Sequence, residues 1–452
     1  MKKGINLIKK NFYVAIFVVV LLFVVSFVIA AYTTSQASHG TLYADTIEPK
    51  TGTAVNVVGG LNVAGGMTSS GSVCDGDGNC LDDPVPGISG EIASGDKVLD
   101  LGCAAHACAV INDGTVRCWG NNDNGQLGVG DTTRRRTPTQ VSGISNALEV
   151  CSGEIFSCAL LSGGAIKCWG YNGNGRLGDG STTQRTTPVQ VSGISNAVQV
   201  ACGRASACAV LSDRSAKCWG YNGYGQLGDG STTESKTPIT VSGLVNIDEL
   251  ECSDIHCCAL LNDDTVKCWG YNVHGQLGDG TTTNRNAPIA VSGLTGVADI
   301  GMGTAHGCAV LSNGQAKCWG YNGYGQLGDG STTQRTTPVQ VSGISNAVKI
   351  FIGAYNGGSW AYGSSCAVLS NGRAKCWGYN GQGQLGDGTT TQRTTPVDVS
   401  GIRNARFGSI GYGTTCYALE DSTVWCVGRN DYGQLGDGTT TDKWAVGRVF
   451  GI

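Results

Sequence analysis

One stretch of the chain recurs seven times and limits what the chain can fold into. The copy at residues 308–330 reads CAVLSNGQAKCWGYNGYGQLGDG and has two cysteines ten residues apart. The copies repeat every 50 residues, and only before Cys366 are eight residues added. A period of about 40 to 50 residues, with short strands and no helical pattern, is typical of propeller blades of four strands each. We therefore predict an all-β, seven-bladed propeller over residues 84–452.

Each copy is predicted to begin with a β-hairpin. Two short apolar runs flank a Ser-Asn-Gly turn that ends at Gly314, and a final glycine suits the left-handed conformation of such turns. A three-residue loop places Cys308 opposite Cys318, at the Cα separation of about 4.5 to 5.5 Å that a disulfide can bridge. The same spacing predicts seven hairpin disulfides: Cys108 with Cys118, Cys158 with Cys168, Cys208 with Cys218, Cys258 with Cys268, Cys308 with Cys318, Cys366 with Cys376 and Cys416 with Cys426.

The N-terminal segment predicts export. Residues 1–11 are basic and predicted to be cytoplasmic, and residues 12–31 are apolar for 20 residues, long enough to span a bilayer as a signal anchor. A cleaved signal peptide is the alternative, with small residues near Ala31 and Ala37 as candidate cleavage points. Basic residues before the span place the rest outside the cytoplasm, so the protein is predicted to be single-pass in the cell membrane, or secreted after cleavage.

Export favours disulfides over thiols for the paired cysteines, because exported proteins fold in oxidising compartments. Zinc is the competing interpretation, but the pairs do not form Cys-x-x-Cys motifs and have no adjacent histidines. The formal net charge of −4 shows no basic surface for nucleic acid, which we exclude as a partner.

Residues 32–83 are predicted to form a stalk or linker in which Cys74 and Cys80 close a loop. Within the loop, side-chain oxygens alternate as at the start of a calcium-binding loop, at Asp75, Asp77 and Asn79. The bidentate glutamate expected further along is missing. We predict a polar linker closed by a disulfide and no cofactor, with calcium as the alternative.

Five further cysteines have no hairpin partner: Cys103, Cys151, Cys202, Cys252 and Cys257. The total of 21 cysteines is odd, so at least one is unpaired or intermolecular. Cys202 and Cys252 share one repeat position, so a bond between blades is conceivable, but burial as small apolar residues is the favoured interpretation.

The full pattern resembles the repeat of the regulator of chromosome condensation family. Gly303 to His306, followed by Trp319 to Gly328, carries the resemblance most completely, and repeats of this type cover about four fifths of the chain. The family implies a seven-bladed propeller closed by pairing the two chain ends. Either residues 444–450 or residues 84–88 could supply the closing strand, and we predict that the C-terminal strand docks against the N-terminal part of the propeller. Its namesake is a nuclear guanine-nucleotide exchange factor, an activity that we do not expect in an exported chain without a basic tail. The family is also similar in fold to secreted bacterial propellers that bind and inhibit β-lactamases through loops at one end. With the export predicted from the N-terminal segment, we expect an exported, bacterial-type member of the family.

Candidate catalytic chemistry is sparse. Three histidines share one repeat position and are interpreted as structural, although His256 and His306 could hold a metal from neighbouring blades. The repeated aspartates lie in Gly-Asp-Gly turns and look structural, and the hydroxyl-rich tracts lack an oriented base. We predict that the protein is not an enzyme, since a glycan-cleaving propeller would need clustered carboxylates on one face.

Variation within the constant repeat is the stronger functional signal. The position two residues before Gln-Leu-Gly changes from copy to copy and is aromatic or histidine at Tyr224, His274, Tyr324 and Tyr432. The eight-residue insertion adds Tyr355, Trp360 and Tyr362. Loops on a rigid scaffold often bind partners, and tyrosine is favoured at binding surfaces. We predict a membrane-anchored module outside the cytoplasm that binds a protein or glycan; the alternative is a structural component of the cell envelope.

Overall fold

The computed structural model describes residues 98–355 and 362–452, without the side chains of residues 354 and 355. The described residues form 28 strands in seven antiparallel four-stranded sheets, each built from consecutive strands. The prediction of an all-β, seven-bladed propeller is therefore confirmed.

The first strand of each blade packs against the first strands of neighbouring blades and lines a central channel, and the fourth strand lies outermost. The strands of blades 1 to 4 are β1 (Val98–Cys103), β2 (His106–Ile111), β3 (Val116–Gly120), β4 (Arg135–Gln140); β5 (Ala147–Ser152), β6 (Phe156–Leu161), β7 (Ile166–Gly170), β8 (Arg185–Gln190); β9 (Ala197–Cys202), β10 (Ser206–Leu211), β11 (Ala216–Gly220), β12 (Ser235–Thr240); β13 (Ile247–Cys252), β14 (His256–Leu261), β15 (Val266–Gly270), β16 (Arg285–Ala290). Those of blades 5 to 7 are β17 (Val297–Met302), β18 (His306–Leu311), β19 (Ala316–Gly320), β20 (Arg335–Gln340); β21 (Ala347–Tyr355), β22 (Tyr362–Leu369), β23 (Ala374–Gly378), β24 (Arg393–Asp398); β25 (Ala405–Gly411), β26 (Thr414–Leu419), β27 (Val424–Gly428), β28 (Lys443–Arg448).

The second and third strands pair in the register that the sequence predicts. Cys308 lies opposite Cys318, and Gly314 ends the turn with a φ of 79°. All seven predicted hairpin disulfides are present, and both sulfurs of each lie in the buried interior. Each of these disulfides thus joins the second and third strands of a single blade.

A tryptophan joins each of blades 1 to 6 to its neighbour. The indole of Trp319 is fully buried and donates its N–H to the carbonyl of Gln276 in the preceding blade, at 2.9 Å. Gly278, two residues later, has a left-handed φ of 68°, and a Cβ there would lie 3.0 Å from the ring of Trp319. The Gln-Leu-Gly of one blade therefore fits against the Trp-Gly of the next.

The C-terminus closes the ring by packing. The predicted closing strand, β28, pairs with β27 of its own blade rather than with the N-terminal part. Val449 and Ile452, which follow β28, are buried in one cluster with Val98 and Leu101 of blade 1. The last four residues, Val-Phe-Gly-Ile, take the place of the Val-Ser-Gly-Ile or Val-Ser-Gly-Leu linkers between other blades.

Several predictions concern residues outside the described part. These are the cytoplasmic segment 1–11, the span at 12–31, the stalk at 32–83 with Cys74 and Cys80, the calcium residues Asp75, Asp77 and Asn79, the first part of the predicted propeller at 84–97 with the alternative closing segment 84–88, and, in the insertion, Trp360 and the side chain of Tyr355. Within residues 98–355 and 362–452, no helix has the length and hydropathy needed to cross a membrane.

Candidate functional site

Two sets of loops meet at one end of the blades. Because the four strands alternate in direction, the turn between the first and second strands and the long loop after the third strand leave the sheet at the same end. In blade 2, for example, Tyr171 of the long loop donates its backbone N–H to Ile155 in the turn after β5, at 3.0 Å. We call this end the long-loop face.

The predicted aromatic residues lie on this face and are joined by others that the sequence analysis missed. Tyr224, His274, Tyr324 and Tyr432 come from long loops, and Tyr362 begins β22. The missed rings come mainly from the residue after Cys-Trp-Gly, a constant part of the repeat. We call the whole set, which is partly exposed throughout, the tyrosine belt: Tyr221, Tyr224, Tyr271, His274, Tyr321, Tyr324, Tyr362, Tyr379, Tyr412 and Tyr432.

The rings of the belt contact one another across blade boundaries. Tyr324 of blade 5 lies 5.1 Å from Tyr362 and 5.3 Å from Tyr379 of blade 6, between ring centroids. Between blades 4 and 5, His274 and Tyr321 are 5.1 Å apart. These distances match the edge-to-face and tilted contacts that stabilise aromatic pairs. The described contacts thus group the belt into sets of touching rings, the largest of which extends from His274 in blade 4 to Tyr379 in blade 6.

Arginines occupy part of the same face. Arg134 lies over the ring of Tyr432 at 4.6 Å, and Arg429 lies over that of Tyr412 at 4.7 Å, at the junction of blades 7 and 1. In blade 2, Arg176 lies over Tyr171 at 4.8 Å. The described arginine–ring contacts of this face thus involve blades 7, 1 and 2.

The central channel contains a ring of polar side chains that the sequence analysis did not identify. It surrounds a cavity of about 490 Å³. The third residue of the first strand of every blade lines this cavity. Five of the seven are acidic or amide side chains: Asp100, Glu149, Gln199, Glu249 and Asp299. The other two are Lys349 and Phe407. The repeated position carried a signal, since acidic or amide residues recur there at intervals of 49 or 50 residues.

These side chains link neighbouring blades. The carboxylate of Asp299 accepts the backbone N–H of Ile350 in the next blade, at 2.6 Å. Equivalent bonds cross the preceding boundaries: Asp100 with Val150, Glu149 with Val200, Gln199 with Leu250 and Glu249 with Ile300. The ring is therefore part of the scaffold as well as of the channel wall.

Enclosure by the channel walls makes ionisation of these carboxyls unfavourable. Burial, and then the nearby Asp299 charge, raise the pKa of Glu249 to about 8. Burial likewise raises the pKa of Glu251 well above its ordinary value, with the Glu249 charge as the next cause. The pKa of Asp299 is raised by burial even though Lys349 forms an ion pair with it at 2.5 Å.

The channel opens on the long-loop face between charged and polar side chains. Glu154 and Arg204 form an ion pair of 2.6 Å between blades 2 and 3, and Thr304 donates its hydroxyl to Asp254 at 3.0 Å. Burial raises the pKa of Asp254 to about 6. The mouth of the channel and the tyrosine belt thus share one face.

The histidines serve the scaffold. His106 and His306 each lie within hydrogen-bond distance of a serine in the next blade, with Ser157 at 2.7 Å and Ser365 at 2.9 Å. His256 contacts Ser253 of its own blade. Burial lowers the pKa of all three to about 3, so they are neutral at ordinary pH.

The Gly-Asp-Gly aspartates also have structural partners. Asp329 accepts hydrogen bonds from Ser331 and Asn322 and pairs with Arg335 at 3.1 Å. The carboxylates that converge in this fold are therefore those of the first strands, which the repeat motif does not contain.

The prediction that the five remaining cysteines are buried thiols is wrong for four of them, which form disulfides. Cys151 and Cys202 form a disulfide between blades 2 and 3, and Cys252 pairs with Cys257 within blade 4. Cys151 and Cys202 meet because the first strands of adjacent blades lie side by side, with Cα atoms 5.4 Å apart. Cys103 is the free cysteine among the described residues, and burial raises the pKa of its thiol to about 12.

Comparison with known proteins supports the fold. Residues 60–359 match the RCC1-like domain, and residues 371–418 match the regulator of chromosome condensation (RCC1) repeat. Human Protein RCC2 is 40% identical over 53 residues, which are 12% of this chain and 10% of that protein. The zebrafish (Danio rerio) Protein RCC2 homolog is 40% identical over 50 residues, 11% of this chain. The chain spans about 10% of the length of these relatives.

Solved structures show the same propeller at low sequence identity. Human WBSCR16 has a TM-score of 0.65 and 20% identity, with coverage of 74% of this chain and 94% of that one. Prp20p from Saccharomyces cerevisiae, described with its binding to Gsp1p and histones, has a TM-score of 0.64 and 20% identity, with coverage of 78% and 87%. Since the RCC1-like domain match covers most of the chain and agrees with the seven blades, this chain belongs to the RCC1-like domain family.

Proposed function

We propose that the protein is a membrane-anchored binding module outside the cytoplasm, whose long-loop face recognises a protein or glycan partner. The tyrosine belt is the observation that carries the proposal. Ten partly exposed rings from several blades lie on one face, many of them in contact across blade boundaries, and are held by loops on a scaffold that contains nine disulfides. Tyrosine supplies a large contact area at a small entropic cost.

The scaffold favours binding over catalysis at this site. The channel carboxylates of Asp100, Glu149, Glu249 and Asp299 each accept a hydrogen bond from a backbone N–H of the next blade. These side chains therefore have a structural role in joining neighbouring blades. A propeller of the same fold, yeast Prp20p, is described with its binding to Gsp1p and histones. Because the identity is 20%, this likeness supports a binding role in general but no particular partner.

The cysteines support a place outside the cytoplasm. Nine disulfides join 18 of the 19 cysteines in the described residues, a density typical of exported proteins. Alkylation of free thiols at the moment of cell lysis, followed by peptide mass spectrometry, tests this location. We expect the hairpin cysteines to be unmodified disulfides. Alkylated hairpin cysteines throughout the cellular pool would refute export.

A binding isotherm on envelope preparations separates the module from a structural component of the envelope. We expect saturable binding of the labelled full-length protein, and at least tenfold weaker binding of the double variant Tyr324→Ser/Tyr379→Ser, since each buried ring contact contributes about 1 kcal/mol. Phe450→Ser is the matched control, because Phe450 is exposed beyond the far end of β28. Equal retention of all three proteins would favour the structural component instead.

A further inference from the structure

We infer that the disulfide between Cys151 and Cys202 is a modification site for a small aminothiol, and that its opening moves the hairpin disulfide of blade 2. In the product, Cys202 carries the aminothiol. Cys151 is then bonded to Cys158, and Cys168 is a free thiol. This inference does not depend on the partner proposed for the long-loop face. It is carried by the register of the cysteines, the distances between their sulfurs, and their exposure to the channel.

Three cysteines lie in register across blade 2. Cys158 is directly opposite Cys168 in β7 and directly opposite Cys151 in β5. Opposite residues of an antiparallel pair are about 4.5 to 5.5 Å apart at Cα and lie on the same face of the sheet, which suits a disulfide. The folded protein has the bond between Cys158 and Cys168. A bond between Cys151 and Cys158 is therefore a second pairing that the same strands allow.

Among the seven described blades, only blade 2 has this alignment. The fifth residue of every first strand lies opposite the first hairpin cysteine of its blade. In the other six blades this residue is not a cysteine: Gly102, Ala201, Glu251, Gly301, Phe351 and Ser409. Their hairpin disulfides therefore provide internal controls.

The sulfurs of Cys151, Cys158 and Cys202 form one cluster, in which each lies within 4.8 Å of the others. A thiolate released at Cys151 is therefore already close to the sulfur of Cys158. Cys103, the free thiol of the described residues, lies at the boundary of blades 7 and 1, where its backbone N–H donates to Ser409 at 3.1 Å. Burial also raises the pKa of the Cys103 thiol to about 12, which keeps it protonated.

The channel gives a small thiol access to the bond between blades. Cys151 and Cys202 line the cavity of about 490 Å³ and are partly exposed, whereas Cys158 and Cys168 are fully buried. Attack from the channel therefore begins at the bond between blades and reaches the hairpin bond through it.

A second sulfur cluster lacks this exposure. The sulfur of Cys257 lies 4.0 Å from that of Cys208 in the preceding blade, and Cys257 is bonded to Cys252. All three cysteines are buried, so we expect them to react more slowly than Cys151 and Cys202.

The reaction consists of two exchange steps. First, the thiolate of the small molecule bonds to the sulfur of Cys202, and the thiolate of Cys151 leaves. Second, this thiolate bonds to the sulfur of Cys158, and the thiolate of Cys168 leaves and takes up the proton that the small thiol has lost. Two disulfides and one thiol are present before and after the reaction, so no oxidant or reductant is needed.

The charges of the channel select the class of thiol. Its lining contains two basic side chains, Lys349 and Arg204, and each is paired with an acidic one. The acidic side chains of the lining are more numerous: Asp100, Glu149, Glu154, Glu249, Glu251, Asp254 and Asp299. A thiol with an ammonium group is therefore favoured over a thiol with a carboxylate.

The reaction removes the covalent link between blades 2 and 3. The hydrogen bond between Glu149 and Val200 and the ion pair between Glu154 and Arg204 also cross this boundary and do not involve sulfur. An aminothiol thus converts a covalent boundary at the channel into one held by noncovalent contacts, while blade 2 keeps one disulfide.

The test maps the disulfides of the full-length protein after brief treatment with cysteamine. Acid stops the exchange, and the unfolded chain is then alkylated and analysed by peptide mass spectrometry. We expect cysteamine on Cys202, most of the new free thiol on Cys168, and a linked Cys151–Cys158 peptide pair. Thioglycolate should react about tenfold more slowly at equal thiolate concentration.

Cys318 of blade 5 is the internal control, because Gly301 lies opposite its partner Cys308. It should stay bonded in the parent protein, and Cys168 should stay bonded in Cys151→Ser/Cys202→Ser. Cys103→Ser should react as the parent does.

Three results would overturn the inference: an unmodified Cys202, a free thiol on Cys151 with the hairpin bond of blade 2 intact, or release of Cys168 in the double variant. Equal or faster reaction of thioglycolate would overturn the preference for an aminothiol.

Discussion

The indole nitrogen of Trp319 lies 2.9 Å from the backbone carbonyl oxygen of Gln276, and this hydrogen bond joins blade 5 to blade 4. Blade 7 has Val427 in place of the tryptophan, and there Thr415 donates its hydroxyl to the carbonyl of Gln384 at 2.7 Å. The carbonyl at this position thus accepts a hydrogen bond at every boundary, from an indole, from a hydroxyl, or from both as at Gln126. Because it recurs at each blade boundary, this hydrogen bond helps to join the seven blades into a closed ring.

Trp319→Phe should destabilise the propeller by about 2 to 4 kcal/mol, because the substitution leaves a buried carbonyl without its donor and opens a small cavity. Urea unfolding of the purified protein measures the loss. Trp444→Phe is the matched control, since Trp444 is 55% exposed and should change stability little. Equal stability of the two variants would contradict a role for the indole bond.

Glu249→Gln should flatten the pH dependence of stability. The pKa of Glu249 is about 8 in the folded protein against an ordinary 4.5, so folding takes up a proton between these values. Its contribution to stability is therefore full below about pH 4.5 and is lost as the pH rises through 8. Gln199 holds the equivalent bond in blade 3, donating to and accepting from Leu250, which shows that the ring tolerates an amide.

Thermal unfolding across pH measures this effect. We expect the variant to melt about 1 to 3 °C higher than the parent at pH 8 and at nearly the same temperature at pH 5. Glu234→Gln changes an exposed side chain and is the control. A lower melting temperature at pH 8 would show that the hydrogen bond to Ile300 matters more than the buried charge.

The disulfide between Cys151 and Cys202 should be the first of the nine to react with a small phosphine. Both of its cysteines are partly exposed on the channel wall, whereas the hairpin cysteines are fully buried. Differential alkylation of the folded protein followed by mass spectrometry gives the order. Earlier reduction of any hairpin bond would refute this prediction.

Loss of the same bond should also cost more stability than loss of a hairpin bond. The chain-entropy model gives about 4 kcal/mol for its separation of 51 residues and about 3 kcal/mol for a separation of 10. Urea unfolding of Cys151→Ser/Cys202→Ser and of Cys308→Ser/Cys318→Ser compares the two. The reverse order would show that strain or packing outweighs the entropy of the loop.

Deletion of residues 449–452 should lower stability by about 3 to 6 kcal/mol, because Val449 and Ile452 bury their side chains between blades 7 and 1. This deletion leaves β28 intact, unlike removal of residues 444–452, which would also take away most of a blade strand. Phe450→Ser is the control within the same segment. An unchanged melting temperature of the deletion variant would mean that the ring closes by other contacts.

Much of the scaffold could be predicted because it depends on short-range geometry. The pairing of Cys308 with Cys318 follows from a three-residue turn between two neighbouring strands. Both strands belong to one blade, so the pairing does not depend on contacts with other blades. The structural role of the Gly-Asp-Gly aspartates was likewise correct, since Asp329 is bound by residues within ten positions of it. Local constraints of this kind are visible in one copy of the repeat.

The channel ring and the disulfide between blades 2 and 3 were missed for the opposite reason. Asp100 and Glu149 are 49 residues apart, and only the closed ring brings their strands side by side. Cys151 likewise sits at the fifth position of its strand and Cys202 at the sixth, so a comparison of equivalent positions does not pair them. Half of the tyrosine belt cannot be found from variable positions, because residues such as Tyr321 are constant in most copies of the repeat.

The repeat pattern was enough to predict the number of blades, the four strands in each blade and the hairpin disulfides, because each of these depends on contacts within about 50 residues. The folded protein was needed to show which side chains face the channel, which cysteines join blades and which rings meet on the long-loop face. Those relationships arise when seven similar units close into a ring. Closure brings equivalent positions of different blades within contact distance and excludes water from the charges that they carry.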